Sequence, residues 1–353
     1  MMGRVIRVLV VDDSALVRNI LSQGLSMDPN IEVVGTASDP YIARDKIVEL
    51  QPDVLTLDVE MPRMDGVAFL RKLMPQYPIP TVMVSSLTQR GKQITMDALD
   101  AGAVDFVAKP TSNLSAGLNA MLMELRAKIK IASTANVSHW KGKRIVPPTQ
   151  AAAVGSKALA ESTDKVIAIG ASTGGTEAIR RVIEKFPATT SGVVIVQHMP
   201  PGFTKMFSDR LNQLCQMQVK EAADGDRIRA GLILVAPGGV QMKVIRSGGF
   251  YQVRCGGTEK VSRHCPSVDV MMHSVAEQVG RNSVGAMLTG MGQDGAEGML
   301  AMKQAGARCI AQDEASSVVF GMPKVAYEKG GAERLVPLEQ ISTSLLDLLT
   351  EKK

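Results

Sequence analysis

Two α/β domains in tandem are the fold class this sequence predicts: a doubly wound, five-stranded parallel sheet, then a second doubly wound, mostly parallel sheet carrying a β-hairpin. Three observations carry the prediction. Five short β-branched runs alternate with helix-length amphipathic segments over the first 110 or so residues, a stretch rich in Ser, Thr, Ala, Lys and Pro interrupts the pattern, and the alternation then resumes. Strands joined by helical crossovers form parallel sheets with helices on both faces. A chain of 353 residues is also too long for one core and comfortable for two.

The strand-like runs of the first half are Ile6 to Val11, Glu32 to Thr36, Val54 to Leu57, Thr81 to Val84 and Asp105 to Val107. After Lys109-Pro110 an amphipathic segment runs from about Leu114 to Ile131, and the composition then offers too little apolar surface to offset the entropy of ordering. In the second half the runs are Val166 to Ile169, Val193 to Val196, Leu232 to Val235, Val284 to Leu288 and Arg308 to Ala311. Gln241 to Ile245 and Tyr251 to Cys255 flank Arg246-Ser247-Gly248-Gly249-Phe250, a hairpin signature. The expected division is a first domain over residues 1–125, a linker over 126–163 and a second domain over 164–353. No repeat of fixed period relates the halves.

Composition excludes several classes. No apolar run reaches the roughly 18 residues of a membrane span, and the start lacks the apolar segment of a signal peptide, so a cytoplasmic protein without membrane insertion is expected. The four cysteines, Cys215, Cys255, Cys265 and Cys309, form no C-x-x-C pair, which points to reduced thiols. Residues 1–110 carry 11 basic and 14 acidic side chains, residues 111–163 carry 7 and 2, and the remainder 22 and 19. The basic excess is thus concentrated in the middle, around the single Trp140, without the basic helix interleaved with aromatics that nucleic-acid binding needs. No nucleic-acid partner is expected.

In the first half, Asp12 and Asp13 follow the first strand and Asp58 the third, which places all three at the carboxyl edge where parallel sheets bind ligands. Three carboxylates brought together repel unless a cation neutralises them, and oxygen-only ligands suit Mg²⁺. Ser85 and Lys109, at the ends of the fourth and fifth strands, add a hydroxyl and an ammonium. That set suits phosphoryl transfer to a carboxylate, the metal and lysine neutralising phosphoryl oxygens. Taken singly, an acidic pair after a strand more often caps a helix. Together, Val10-Val11-Asp12-Asp13-Ser14, Leu57-Asp58-Val59-Glu60-Met61-Pro62-Arg63-Met64-Asp65-Gly66, Val84-Ser85-Ser86 and Ala108-Lys109-Pro110 resemble the receiver domain of two-component response regulators over residues 5–125. The resemblance implies that Asp58 is the phosphoacceptor, that Asp12, Asp13, Asp58 and the Glu60 backbone carbonyl hold Mg²⁺, that Ser85 and Lys109 contact the phosphoryl group, and that Phe106 is the aromatic switch residue.

In the second half, Gly170-Ala171-Ser172-Thr173-Gly174-Gly175 lies between a strand and a helix and fits G-x-S-x-G, a turn that exposes a serine hydroxyl beside backbone N–H groups. A glycine-rich loop cradling phosphate is the competing reading. A nucleophilic serine needs a base, and His198 stands just after the next strand. Asp294, in Leu288-Thr289-Gly290-Met291-Gly292-Gln293-Asp294-Gly295, again follows a strand and can fix the imidazole tautomer. Of the other three histidines, His139 lies in the expected linker, His273 on a helix over Val268 to Val279, and His264 in a polar loop.

Gly170 to Glu177, Val196 to Lys205, Ser267 to Ser274 and Leu288 to Gly298 closely resemble the catalytic domain of the chemotaxis protein-glutamate methylesterases, and the domain order matches that family along nearly the whole chain. By that resemblance Ser172 is the nucleophile, His198 the general base and acid, Asp294 the orienting carboxylate, and Thr173 and Met291 occupy oxyanion-stabilising positions. It further implies hydrolysis of glutamate γ-methyl esters on methyl-accepting chemoreceptors with release of methanol, deamidation of receptor glutamines, no cofactor in the esterase site, and a chemotaxis histidine kinase as phosphodonor; because both sites fall at sheet edges, the receiver is expected to cover the esterase cleft until phosphorylated. Two other classes compete. An ordinary α/β-hydrolase places its acid before its histidine, unlike the order here, and a transcriptional regulator needs a helix-turn-helix unit that the second half lacks.

Overall fold

The computed structural model describes residues 4–85, 88–110, 114–142 and 165–350. Two compact units divide at Pro147/Pro148. The first contains β1 (Ile6–Val11), α1 (Ala15–Ser26), β2 (Ile31–Ala37), α2 (Pro40–Leu50), β3 (Val54–Asp58), α3 (Gly66–Leu73), β4 (Thr81–Ser85), α4 (Gln89–Asp100), β5 (Asp105–Ala108) and α5 (Leu114–Ala132). Its strands form the expected five-stranded parallel sheet, in the order β2-β1-β3-β4-β5. Short polar side chains start the helices: Asp39 Oδ1 accepts from the N–H groups of Tyr41 and Ile42, and Asp65 Oδ1 accepts from Ala68 N–H. β3 and β4 are buried throughout, and each such Val, Leu or Ile contributes roughly 1.5–3 kcal/mol.

This unit extends past residue 125, where the sequence suggested linker. Leu125, Ile129 and Ala132 carry α5 onward with buried side chains, and a 3-10 turn over Ser138–Trp140 buries Trp140 as well. Gly142 N–H donates to the Pro75 carbonyl, closing the segment onto the sheet domain. A Ser- and Lys-rich composition hid one indole and one helical apolar stripe, which suffice to order residues 126–142. The rest of the expected linker, 143–163, lies outside the described residues.

The second unit contains β6 (Val166–Ala171), α6 (Gly175–Ile183), β7 (Gly192–Gln197), α7 (Phe203–Leu214), β8 (Gln218–Glu221), β9 (Arg227–Ile228), β10 (Leu232–Val235), β11 (Met242–Ser247), β12 (Phe250–Cys255), α8 (Val268–Gln278), β13 (Ser283–Met287), α9 (Ala296–Gln304), β14 (Arg308–Gln312), α10 (Met322–Glu328), β15 (Leu335–Val336) and α11 (Leu338–Thr350). A seven-stranded sheet in the order β15-β14-β13-β6-β7-β10-β8 is parallel throughout. The hairpin β11–β12, extended by β9, makes a separate antiparallel sheet. Gly248, at φ +59, opens its two-residue turn. Ser274 Oγ on α8 accepts from Val244 N–H of β11 and binds this sheet to the body of the domain. The core between them is rich in methionine: Met242, Met271, Met272, Met287, Met299, Met302 and Met322 are all buried.

Strands β8, β9 and β15 escaped the sequence reading because they are two to four residues long, and β8 and β15 lie at the two edges of the seven-stranded sheet. Among the described residues no helix is long and apolar enough to cross a membrane.

Candidate functional site

The acidic cluster forms at the carboxyl edge of the five-stranded sheet. Val11 pairs with Leu57 across β1 and β3, so Asp12 and Asp58, one step beyond each, emerge side by side. Asp12 and Asp58 are buried and Asp13 is exposed, and oxygens of the three carboxylates lie within 4.8 Å of one another. Lys109 Nζ stands 3.0 Å from Asp12 Oδ2 and 3.0 Å from Asp58 Oδ1. Gly66 makes the cluster possible, since a Cβ there would stand 2.3 Å from the Asp58 carbonyl oxygen. Hard oxygens without a nitrogen or sulfur donor fit a small divalent cation such as Mg²⁺.

Burial pushes the Asp58 carboxyl up to about 6, with the Asp12 charge adding to the rise and Lys109 opposing it. The unfolded carboxyl titrates near 3.8, so the folded chain binds the proton more tightly. Ionising Asp58 therefore costs stability in the cation-free protein; the cost is absent below about pH 4 and complete above about pH 6. Asp58→Asn, with Asp12 still partnering Lys109, is expected to stabilise the cation-free fold at neutral pH by ~1–3 kcal/mol. Denaturant titrations in a chelator should show that advantage shrinking toward zero as pH falls to about 4. A variant no more stable than the wild type at neutral pH would contradict this account.

Of the other expected residues, Ser85 ends β4, whose Val84 pairs with Asp58, and Phe106 lies on β5 beside Met83. The Ser85 hydroxyl is buried, accepts from Thr95 Oγ1 at 2.6 Å and donates to the Gly91 carbonyl at 3.2 Å. Phe106 is buried, with Lys128 Nζ of α5 5.1 Å from its ring centroid. Lys128 also pairs with Asp105 at 2.9 Å and Glu124 at 3.1 Å. The Glu60 side chain is exposed, and the expectation for this residue concerns its backbone carbonyl alone.

The second constellation is set by three adjacent strands. Gly170 of β6 pairs with Met287 of β13, and Ala171 pairs with Gln197 of β7. Ser172, His198 and the loop 288–295 consequently leave the same sheet edge, where successive connections run to opposite sides of β6, the switch point at which such sheets bind ligands. Ser172 N–H donates to the Thr289 carbonyl at 3.0 Å, and His198 N–H to the Ala171 carbonyl at 3.2 Å. Gly290 lies against the serine: a Cβ there would stand 2.8 Å from Ser172 Cβ and 2.5 Å from Met322 Sδ. Thr173 is buried, its carbonyl accepting from Thr289 Oγ1 at 3.0 Å, whereas the Met291 side chain is exposed.

His198 Nε2 lies 2.7 Å from Asp294 Oδ2, and Nδ1 is buried without a hydrogen-bond partner. The structure thus brings the expected base and carboxylate into contact and shows no hydrogen bond between Ser172 and the imidazole among the described residues. Such links often tighten only when substrate is bound. With Nε2 on the carboxylate, Nδ1 is the nitrogen free to take a proton. Asp294 also accepts from Ser267 Oγ at 2.7 Å, Val268 N–H at 2.7 Å and Asp269 N–H at 3.2 Å. Burial pushes its carboxyl up, but these bonds and the His198 imidazole outweigh burial and hold it below the ordinary value. Neighbouring Asp269 is pushed up, by burial first and then by the Asp294 charge, while the Gly298 N–H opposes the rise.

Cysteines offer no rival nucleophile. Burial pushes Cys215 and Cys309 up to about 12 and Cys255 up to about 11, and raises Cys265 as well. All four thiols are free, as expected.

Sequence reasoning missed three groups around the site. The Gln197 side-chain amide donates to the Ser172 carbonyl at 2.9 Å and to the His198 carbonyl at 3.3 Å, in space that exists because residue 175 is glycine. Its signal was a polar residue ending a wholly buried strand. Ser267 supplies a hydroxyl to Asp294, and His264 stacks on His198. Nothing in the local pattern around His264 marks that contact.

Comparison with known proteins follows the same two-part division. The profile of the CheB methylesterase family matches residues 167–345, and that of the response regulator receiver domain matches residues 8–119. A protein-glutamate methylesterase/protein-glutamine glutaminase of Syntrophotalea carbinolica is 72% identical over 352 residues, covering 100% of both chains. One from Sulfurimonas denitrificans is 54% identical over 350 residues, 99% of each chain. Among solved structures, the CheB methylesterase catalytic domain of Thermotoga maritima covers 53% of this chain and 100% of its own, at 35% identity and a TM-score of 0.52.

Proposed function

The chain belongs to the CheB methylesterase family, and from that membership we propose that it hydrolyses glutamate γ-methyl esters on chemoreceptors and deamidates receptor glutamines, under control of phosphorylation at Asp58. The observation that carries the reading is the convergence of Ser172, His198 and Asp294 from three neighbouring strand ends, with His198 Nε2 on the carboxylate and Nδ1 unpaired. Ser172 Oγ attacks the ester carbonyl, its proton passes to His198 Nδ1, and the carbonyl π electrons move onto oxygen, where backbone N–H groups at Thr173 and Met291 would steady the charge. Collapse breaks the bond to methoxide, which takes the proton from His198 and leaves as methanol. Water, deprotonated by His198, then attacks the acyl-serine and releases glutamate. With a glutamine side chain, ammonia leaves in place of methanol.

Asp58 is the carboxylate that attacks the phosphorus of the donor, the phosphohistidine of a chemotaxis histidine kinase, forming an acyl phosphate as the P–N bond breaks and the kinase imidazole leaves. Mg²⁺, when bound by Asp12, Asp13, Asp58 and the Glu60 carbonyl, supplies positive charge to the phosphoryl oxygens. Lys109 would bind one of those oxygens directly, and Ser85 would turn from the Gly91 carbonyl to another, with Phe106 responding to that turn.

Hydrolysis in oxygen-18 water tests the chemistry. A receptor peptide bearing a glutamate methyl ester should yield unlabelled methanol and glutamate carrying one heavy oxygen, and its glutamine counterpart ammonia and the same labelled glutamate. Heavy oxygen appearing in methanol would place bond cleavage on the wrong side of the ester and refute acyl transfer to Ser172.

A further inference from the structure

Among the described residues, His264 lies flat against His198, and the mechanism above gives it no task. Its ring centroid is 3.6 Å from that of His198 and the two planes differ by 3°. The turn that presents it is costly: Val261 and His264 exchange backbone hydrogen bonds of 3.0 and 2.8 Å around Ser262 and Arg263, which adopt left-handed φ values of +50° and +70°. Neither is glycine or asparagine, so the pair stores strain that the surroundings must hold. Buried Gln241 holds it. Its Nε2 donates to the carbonyls of Glu259 at 2.8 Å and His264 at 3.3 Å, while its Oε1 accepts from Ser267 N–H at 2.8 Å. Ser267 in turn donates to Asp294, and Asp294 holds His198. The contacts close into a ring: His264, Gln241, Ser267, Asp294, His198 and, through the stack, His264 again.

We infer that His264 is a positioning residue for the esterase reaction: stacked on His198, it fixes the plane of that imidazole while Asp294 fixes its edge, and it favours the cation that His198 becomes during acyl transfer. The inference rests on the esterase reading. Two neutral rings lying nearly face to face gain little, since aromatic pairs prefer offset or edge-on arrangements. Once His198 has taken the serine proton, an imidazolium lies over the π face of the His264 ring, an arrangement that is attractive as long as His264 itself is uncharged. An interaction that strengthens as charge develops lowers the barrier instead of merely binding substrate. The acidic edge contact and the aromatic face contact therefore act on the same proton transfer from perpendicular directions.

The test uses the full-length protein and methanol release from a glutamate γ-methyl ester peptide, comparing His264→Ala, His264→Leu and His264→Phe with the wild type. Loss of the stack in the Ala and Leu variants is expected to lower kcat about three- to tenfold with KM unchanged. Phe, which keeps a flat π face but no ring nitrogen, should restore kcat to within about twofold. Leucine fills the volume without a planar ring, so a defect in Leu rescued by Phe separates stacking from packing. Wild-type kcat in both Ala and Leu would overturn the inference and leave the esterase reading intact. A loss in Phe equal to that in Ala would overturn it too, by assigning the effect to the ring nitrogens. A wild type that releases no methanol would overturn both readings together.

Discussion

Replacing Ser172 by alanine is expected to lower the rate of methanol release by at least about four orders of magnitude, and His198→Ala should cost nearly as much, because the members of such a unit fail together. The fold should not suffer in the serine variant. The residue's structural work is done by its backbone, whose N–H donates to Thr289, whose carbonyl accepts from Gly175 N–H at 2.7 Å and the Gln197 amide, and whose hydroxyl is required by none of these bonds. A thermal midpoint matching the wild type beside a vanished rate is the expected pair of results. Appreciable turnover in Ser172→Ala would move the nucleophile elsewhere, and all four thiols are pushed above their ordinary value.

Asp294→Asn should lower kcat by a factor on the order of 10⁴ and, unlike the serine variant, also destabilise the protein. Each carboxylate oxygen meets two donors: Oδ1 faces Ser267 Oγ and Asp269 N–H, while Oδ2 faces His198 Nε2 and Val268 N–H. Whichever way an asparagine side chain is turned, its NH₂ confronts a backbone N–H. Only the serine hydroxyl and the imidazole can reverse their roles, and reversal at the imidazole puts the proton on Nδ1, where Ser172 needs an acceptor. An unsatisfied buried donor costs about 1–3 kcal/mol, so a matching loss in denaturant titrations should accompany the kinetic defect. A stable Asp294→Asn protein with near-normal kcat would show that the carboxylate does not set the tautomer.

Much of both sites was legible because parallel α/β sheets collect chemistry at one edge. Knowing only where strands end, one can place Asp12, Asp58 and Lys109 together, and Ser172 beside His198, without any contact being visible in the sequence. The glycines that crowd these loops marked the same places: Gly66 and Gly290 leave room where a Cβ would strike Asp58 or Ser172. What escaped was tertiary. His264 lies 66 residues from His198 in a loop with no periodic pattern, and its contact depends on two left-handed residues whose conformation Ser262 and Arg263 do not advertise. Trp140 was hidden differently, since a single large side chain in a polar stretch can order its neighbours when a surface such as that around Gly102 accepts it. The donors to Asp294 likewise come from the first turn of α8, and which carboxylate would cap that helix could not be read from Ser267 alone.

The central claim, an esterase governed by its receiver, is tested most directly by the initial rate of methanol release from methylated chemoreceptor membranes, with and without a small acyl phosphate donor and Mg²⁺. The account predicts a rate that rises with the donor in the wild type and stays at its basal level in Asp58→Asn. Equal stimulation of both proteins would contradict control through Asp58, and no methanol under either condition would contradict the esterase itself.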